Sequence, residues 1–352
     1  LSANSGWLWL EIALMQALRE FKVDQADQVP PQLLAMDEPC VLRGLVSHWP
    51  LVQACEQAGG DASVAAAACL KSYWRDATVG VFRMAPSTQG RIAYNEDFSG
   101  FNFSREFLRF DQLLDQLLAC REQSPSPYLY MGSTTVDTCL PGFRSSHALQ
   151  LDSPEEALVS LWMGNQITVP AHQDWPSNIA CCVAGRRRFT LFPPDAVGDL
   201  YVGPLDLTPA GQPISLADAS KPDLQRFPRF AQALARAQVA ELAPGDAIYI
   251  PSLWWHQVEG LDGLNALVNY WWRRSPAWAD SPNTALWLAL ATLRDLPPAE
   301  RQAWRALFDH YVFKADASTA AHIPAQARGL LAPFDETAMR RMRAWLMKKL
   351  NR

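Results

Sequence analysis

The chain has 352 residues, 49% of them hydrophobic, enough for one large domain or one domain with an appendage around a packed core. Its formal net charge of −5 leaves no basic footprint for nucleic acid, and its apolar opening run, residues 7–18, is too short to cross a bilayer. The 7 cysteines are scattered and form no Cys-x-x-Cys, which argues against a zinc cluster or a disulfide framework and for a reducing cytoplasm.

In chain order, the opening run carries Glu11 and lacks the basic flank and small-residue cleavage site of a secretion signal. The chain begins with Leu1 rather than Met, which points to a truncated or appended start. Residues 5–22 have helical composition and are expected to form a buried or dimer-facing helix in an N-terminal helical segment, 1–35. Residues 40–50 read as a strand running into a turn. Residues 51–73 read as Ala-rich helix broken at Gly59-Gly60, and 78–83 as a strand. An aromatic loop, 98–103, precedes a predicted amphipathic helix over 107–120, with Phe107, Phe110, Leu114, Leu117 and Leu118 at helical spacing.

Residues 128–131 and 158–163 read as strands with an irregular loop, 132–157, between them. Residues 178–184, Gly185 and 186–192 have the pattern of a hairpin, ended by Pro193-Pro194. Residues 195–240 look like an insertion of loops with a helix near 228–239. Strands are expected at 247–250, 256–258 and 264–272, and helices at 283–295, 298–313 and 335–350. Many short strands flanked by helices pack naturally as a mainly β, double-sheet barrel over 36–275, followed by a helical region over 276–352.

The chemistry concentrates in two stretches. His172 and Asp174 stand two apart in Val169-Pro-Ala-His-Gln-Asp174, so on an extended chain they point to one side. The best third ligand is His256. Two histidines and a carboxylate form a facial triad, which leaves positions open on a non-haem Fe(II) for O2 and a bidentate organic acid. His48, His147, His310 and His322 lack partners at ligand spacing. On the second strand of the supposed hairpin, Arg187, Phe189 and Leu191 share one face, and Arg186, Arg188, Thr190 and Phe192 the other. Neither face is cleanly apolar, so parity alone does not choose among the arginines. Asn178, Ala180, Cys182 and Ala184 point one way, and small side chains there leave room for a bound acid. Trp162, Trp175, Trp254, Trp255, Trp271 and Trp272 are each either core or cleft, with Trp175, beside Asp174, best placed for a substrate cleft.

The run Gly245-Asp-Ala-Ile-Tyr-Ile-Pro-Ser-Leu-Trp-Trp-His256 resembles a motif of the cupin superfamily. Together with Pro170-Ala-His-Gln-Asp174 and Arg188-Phe-Thr-Leu-Phe-Pro-Pro194 it resembles the JmjC branch, the Fe(II)- and 2-oxoglutarate-dependent oxygenases. The nearest likeness is to the group around the asparaginyl hydroxylase that inhibits hypoxia-inducible factor, and it covers residues 36–275. The resemblance implies a double-stranded β-helix, or jelly-roll, barrel. It implies Fe(II) held by His172, Asp174 and His256, and 2-oxoglutarate as cosubstrate. It places a basic residue, usually lysine, two positions after the hairpin glycine; here that is Arg187, which can pair bidentately with the far carboxylate. It puts Tyr128, or else Tyr130, at the same carboxylate, and Asn178 and Asn269 near the cosubstrate. Val169 departs from the threonine of that relative. The expected reaction is hydroxylation of a protein side chain or small metabolite. The C-terminal helices, with Trp304, Leu307, Phe308, Tyr311 and Val312 on one apolar stripe, are expected to form a homodimer interface. The competing readings are a non-oxidative metal-binding cupin and a non-catalytic dimeric interaction protein with a degenerate site.

Overall fold

The computed structural model describes residues 16–23, 26–151 and 156–351. The chain divides into two compact units, Leu1–Arg274 and Ser275–Arg352.

The first unit opens with β1 (Gln16–Ala17), β2 (Arg19–Lys22) and β3 (Cys40–Arg43). Helices α1 (Pro50–Glu56) and α2 (Ala62–Tyr73) follow, then β4 (Thr78–Met84), β5 (Phe103–Arg109), α3 (Phe110–Cys120) and β6 (Tyr128–Thr135). The remaining strands are β7 (Leu158–Gly164), β8 (Thr168–Gln173), β9 (Ser177–Ala184), β10 (Arg187–Phe192), β11 (Gln238–Leu242), β12 (Ala247–Ile250), β13 (Trp255–Gly260) and β14 (Asn265–Trp272). A nine-stranded sheet runs β2-β3-β12-β9-β14-β7-β6-β4-β5, and a five-stranded sheet runs β1-β11-β10-β13-β8.

From β7 onward the chain passes back and forth between these sheets. β7, β9, β12 and β14 belong to the larger one, and β8, β10, β11 and β13 to the smaller. That winding is a jelly roll. The sheets face each other across a core that takes Phe189, Leu191 and Val258 from one side and Ala180, Ile248 and Leu267 from the other. The outer face of the larger sheet is covered by α1–α3 through Leu51, Leu70, Phe110 and Leu117, against Cys181 and Val268. β9 is therefore buried on both faces along its whole length, which is why its sequence is a continuous apolar run rather than an alternation.

The expected hairpin is corrected by this winding. β9 pairs with β12 and β14, whereas β10 pairs with β11 and β13. Gly185 turns the chain from one sheet to the other. It sits at φ +63°, and a Cβ there would lie 2.3 Å from the Leu264 carbonyl oxygen, so only glycine fits. The expected inward set also ends early. A register shift beside Ala184 places it in the helix-covered core, away from Ala180 and Cys182.

Other expectations shift at element ends. Of the predicted helix over 5–22, residues 5–15 lie outside the described residues, and 16–22 form strands parallel to β11 and β3. Residues 107–109 finish β5, with Phe107 outside at 80% exposure, and the helix starts at Phe110. The insertion's helix is shorter than expected, Phe230–Leu234, and 238–242 is a strand of the small sheet. In each case pairing to a distant strand overrides local composition.

The second unit contains α4 (Pro282–Thr292), α5 (Pro298–Phe308) and α6 (Glu336–Leu350). Among its described residues only Ala320 is buried. No described helix is long and apolar enough to cross a membrane.

Candidate metal centre

β8 and β13 are antiparallel neighbours, and His172 stands directly opposite His256. Opposed residues share a face, and the two imidazole centroids are 4.3 Å apart with planes inclined by 53°. Asp174 follows the last residue of β8. A turn at Leu253, with φ +67°, holds it there: the Leu253 amide donates to the Asp174 carbonyl at 2.8 Å, and Ser252 Oγ donates to the Trp175 carbonyl at 2.5 Å. The Asp174 Oδ2 is 3.7 Å from His256 Nε2. One ligand atom from each of the three side chains lies within 4.8 Å of the others.

Both histidines are oriented by the same device. Nδ1 of His172 donates to the Pro170 carbonyl and Nδ1 of His256 to the Trp254 carbonyl, each at 2.9 Å. The Nε2 lone pairs are left facing the carboxylate, the orientation a metal requires. Burial pushes the pKa of His256 down to about 4, helped by the neighbouring His172 and opposed by Asp174. His256 is thus the neutral imidazole that a cation binds. Two imidazole nitrogens and one carboxylate oxygen suit a facial-triad Fe(II).

The same cavity reaches Arg187. Arg187 is 4% exposed. On β10 it lies opposite Gly260, while Leu191 lies opposite His256. Four residues of strand put it about 13 Å along the same face from the level of the histidines. The parity question is thereby settled: Arg187 points in, while Arg186 and Arg188 point out and pair with Asp262 at 2.8 Å and Glu241 at 2.6 Å. Among the described residues Arg187 has no carboxylate partner. Its Nη2 makes a long 3.5 Å contact to the Trp162 carbonyl, and its Nε has no partner. Burial lowers its pKa, while Tyr130 and Cys182 oppose the shift. A guanidinium stays charged in proteins, and a buried charge without a partner is costly.

Among the described residues, four of the six buried polar side-chain atoms without a partner fall here. Arg187 Nε, Trp162 Nε1, Trp271 Nε1 and Asn269 Oδ1 are buried, lack a partner among the described residues, and belong to residues that line this one cavity. Asn269 Nδ2 donates to Asn178 Oδ1 at 3.1 Å, so the two asparagines brace each other between β14 and β9. This wall fits an oxygen-rich anion beside a metal.

Tyr130, not Tyr128, lines the cavity. Tyr128 shares its strand face but sits two residues nearer the strand's start, packed against Gly90. Burial raises the Tyr130 phenol above its usual pKa, so it is a hydrogen-bond donor. Val169, the departure from the relative's threonine, lines the cavity. Of the six tryptophans, Trp162 and Trp271 line the cavity, and Trp254, Trp255 and Trp272 are buried core. Trp175 lies beside Asp174, outside the lining set, with the Arg273 guanidinium 4.9 Å from its ring centroid. The i, i+2 relation of Trp271 to Asn269 was the signal that could have singled out Trp271.

The remaining features are structural. His147 is fully buried, stacks on Phe143 at 3.8 Å, and accepts the Leu51 amide in the first turn of α1. All 7 cysteines are unpaired, and burial pushes the Cys182 thiol up to about 12.

The cupin-like domain family matches residues 26–277. Lysine-specific demethylase 8 of Xenopus tropicalis is 28% identical over 249 residues, 68% of this chain and 49% of that protein. A lysine-specific demethylase of Arabidopsis thaliana is 33% identical over 124 residues, 35% of this chain and 22% of that protein. The bifunctional peptidase and (3S)-lysyl hydroxylase of Homo sapiens is 27% identical over 269 residues, 67% of this chain and 77% of that protein. The chain thus spans half or less of either demethylase.

Proposed function

The chain belongs to the cupin-like domain family, in its JmjC branch, and from that premise we propose that it is an Fe(II)- and 2-oxoglutarate-dependent oxygenase that hydroxylates a protein side chain or a small metabolite. The observation that carries this reading is a buried, unpaired guanidinium, Arg187, in the same cavity as two imidazoles and a carboxylate arranged to share one cation.

His172, Asp174 and His256 would hold the metal. Arg187 would grip the far carboxylate of the oxoacid through its two-pronged edge, with Tyr130 donating a second bond. That grip offsets the hydroxyl lost at Val169. Asn178 and Asn269 orient the middle of the cosubstrate. Val258, Leu267 and Phe189 form apolar walls that keep water from the reacting groups. When bound, Fe(II) and 2-oxoglutarate supply the oxidising power: O2 is consumed, the oxoacid becomes succinate and CO2, and one oxygen atom enters a substrate C–H bond.

A homodimer through the C-terminal helices belongs to the same proposal. It is supported by Trp304, Leu307, Tyr311 and Val312, which are large, apolar and exposed. A cytoplasmic location is supported by the unpaired cysteines.

The test is anaerobic addition of Fe(II) and then 2-oxoglutarate, followed by a succinate assay in air. The expected result is a visible charge-transfer band and slow succinate release, both abolished in His172→Ala. A wild-type protein that binds Fe(II) but gives neither the band nor succinate would refute the reading.

A further inference from the structure

Along β14, residues 269, 271 and 273 fall on one side of the strand. Asn269 and Trp271 line the cavity. Arg273, one residue past the end of the strand, comes next in that row, outside the residues that line the cavity. Its guanidinium lies over the Trp175 ring at 4.9 Å, beside the ligand Asp174. It is only partly exposed, and among the described residues it makes no ion pair or hydrogen bond. The row therefore carries a neutral acceptor, an indole N–H without a partner and, among the described residues, a guanidinium without a counter-charge.

The charge balance of the site is one-sided. Of the residues lining the cavity, Asp174 is the only carboxylate, and its charge is committed to the metal. Arg187 at the deep end is matched by the cosubstrate. Arg273 has no carboxylate partner among the described residues, and Trp271 Nε1, two positions earlier on the same chain, is a donor without a partner. We infer that the group hydroxylated by this protein is attached to a carboxylate, which Arg273, packed over the Trp175 ring beside Asp174, and the Trp271 indole receive at the entrance to the cavity. The inference rests on the oxygenase reading and deepens it by naming the substrate class.

The alternative is a lysyl or methylated-lysyl side chain, as the names of two relatives would suggest. Tyr130, Trp162 and Trp271, with the Trp162 ring centroid 6.2 Å from that of Tyr130 and 5.5 Å from that of Trp271, would by themselves suit an alkylammonium. Here Arg187 lines the same cavity, and Arg273 follows Trp271 two positions on. A third cation would meet like charge with no free carboxylate among the lining residues to offset it.

The experiment is calorimetric titration of the full chain loaded with Mn(II), with and without 2-oxoglutarate. The probes are capped pentapeptides of glycine with a central Asp, Asn or Lys, and free N-acetylaspartate. Wild type is expected to bind the Asp peptide at least about tenfold more tightly than the Asn or Lys peptide, the scale of one charge-assisted bond. Arg273→Gln should abolish the difference between Asp and Asn, and Arg273→Glu should reverse the order of Asp and Lys. The 2-oxoglutarate affinity should stay the same in both variants. N-acetylaspartate binding as tightly as the Asp peptide would assign the carboxylate to a free organic acid rather than an acidic peptide. A Lys peptide that binds as well as the Asp peptide, an order that Arg273→Glu leaves intact, or no binding of any probe would overturn the inference. Failure of 2-oxoglutarate itself to bind would instead sink the oxygenase reading, and the peptide order with Mn(II) alone would still be measured.

Discussion

Arg187→Met separates a cosubstrate-binding arginine from a structural one. In the folded protein Arg187 is 4% exposed, has no carboxylate partner, and leaves Nε unsatisfied. An apolar side chain of similar length removes an uncompensated buried charge, a change that is often neutral or stabilising by about 1–4 kcal/mol. For a unit of this size each kcal/mol moves Tm by about 2–4 °C, so the ligand-free variant should melt at the wild-type temperature or a few degrees above it. The ligand-bound state should change in the opposite direction. A bidentate guanidinium–carboxylate pair contributes about 3 kcal/mol, equivalent to a rise of roughly 150-fold in Kd for 2-oxoglutarate. At a cosubstrate concentration 100 times the wild-type Kd, wild type gains about 2.7 kcal/mol from binding and the variant almost none. The assay is a pair of melts on Mn(II)-loaded protein, with and without 2-oxoglutarate, backed by calorimetric titration. Arg187→Lys should restore part of the affinity. A ligand-free variant that melts well below wild type, together with 2-oxoglutarate affinity within threefold of wild type, would show that Arg187 serves the fold and not an anion.

Tyr130→Phe should raise the Kd for 2-oxoglutarate about tenfold, the loss of one hydrogen bond to a charged group, while Tyr128→Phe should leave it unchanged; equal effects in a titration would remove Tyr130 from the carboxylate site. Gly185→Ala should lose about 2–4 kcal/mol in urea unfolding, because it combines φ +63° with a contact at 2.3 Å to the Leu264 carbonyl oxygen. The pKa of His147 is pushed down to about 4 by burial, against about 6.5 when unfolded. The unfolded chain therefore holds the extra proton between these values, and stability should fall as pH drops from about 6.5 to 4, by up to roughly 3 kcal/mol; urea midpoints for wild type and His147→Gln across that window would show the variant's shallower slope. Trp304→Glu combined with Val312→Glu should convert a dimer into a monomer by light scattering, and a wild type that is already monomeric would end the dimer proposal.

The spacing of the candidate ligands was legible because it is local. His172 and Asp174 need only an extended chain to face one way, and His256 carries its own punctuation in Pro251 and the turn at Gly245. The existence of most strands was legible for the same reason. Their partners were not. A glycine between two buried strands has one local pattern whether it closes a hairpin or crosses between sheets. Only the pairing of β9 with β14 and of β10 with β13 decides which it is. The strands at 16–22 and 238–242 exist because each completes an edge of a distant sheet, and helical composition did not announce them. Parity placed Tyr128 and Tyr130 on one face. Depth along the barrel, which is set by three-dimensional register, chose Tyr130. The unpaired donors of Trp162 and Trp271 were invisible until their surroundings could be inspected atom by atom.

The central claim is that one cation and one dicarboxylate share this cavity. Anomalous diffraction at the iron edge, from crystals grown anaerobically with Fe(II) and 2-oxoglutarate, tests it most directly. The account predicts a single iron bonded to Nε2 of His172, Nε2 of His256 and a carboxylate oxygen of Asp174, with the far carboxylate of the oxoacid on Arg187. Iron bound elsewhere, or an oxoacid that leaves the Arg187 guanidinium bare, would contradict it.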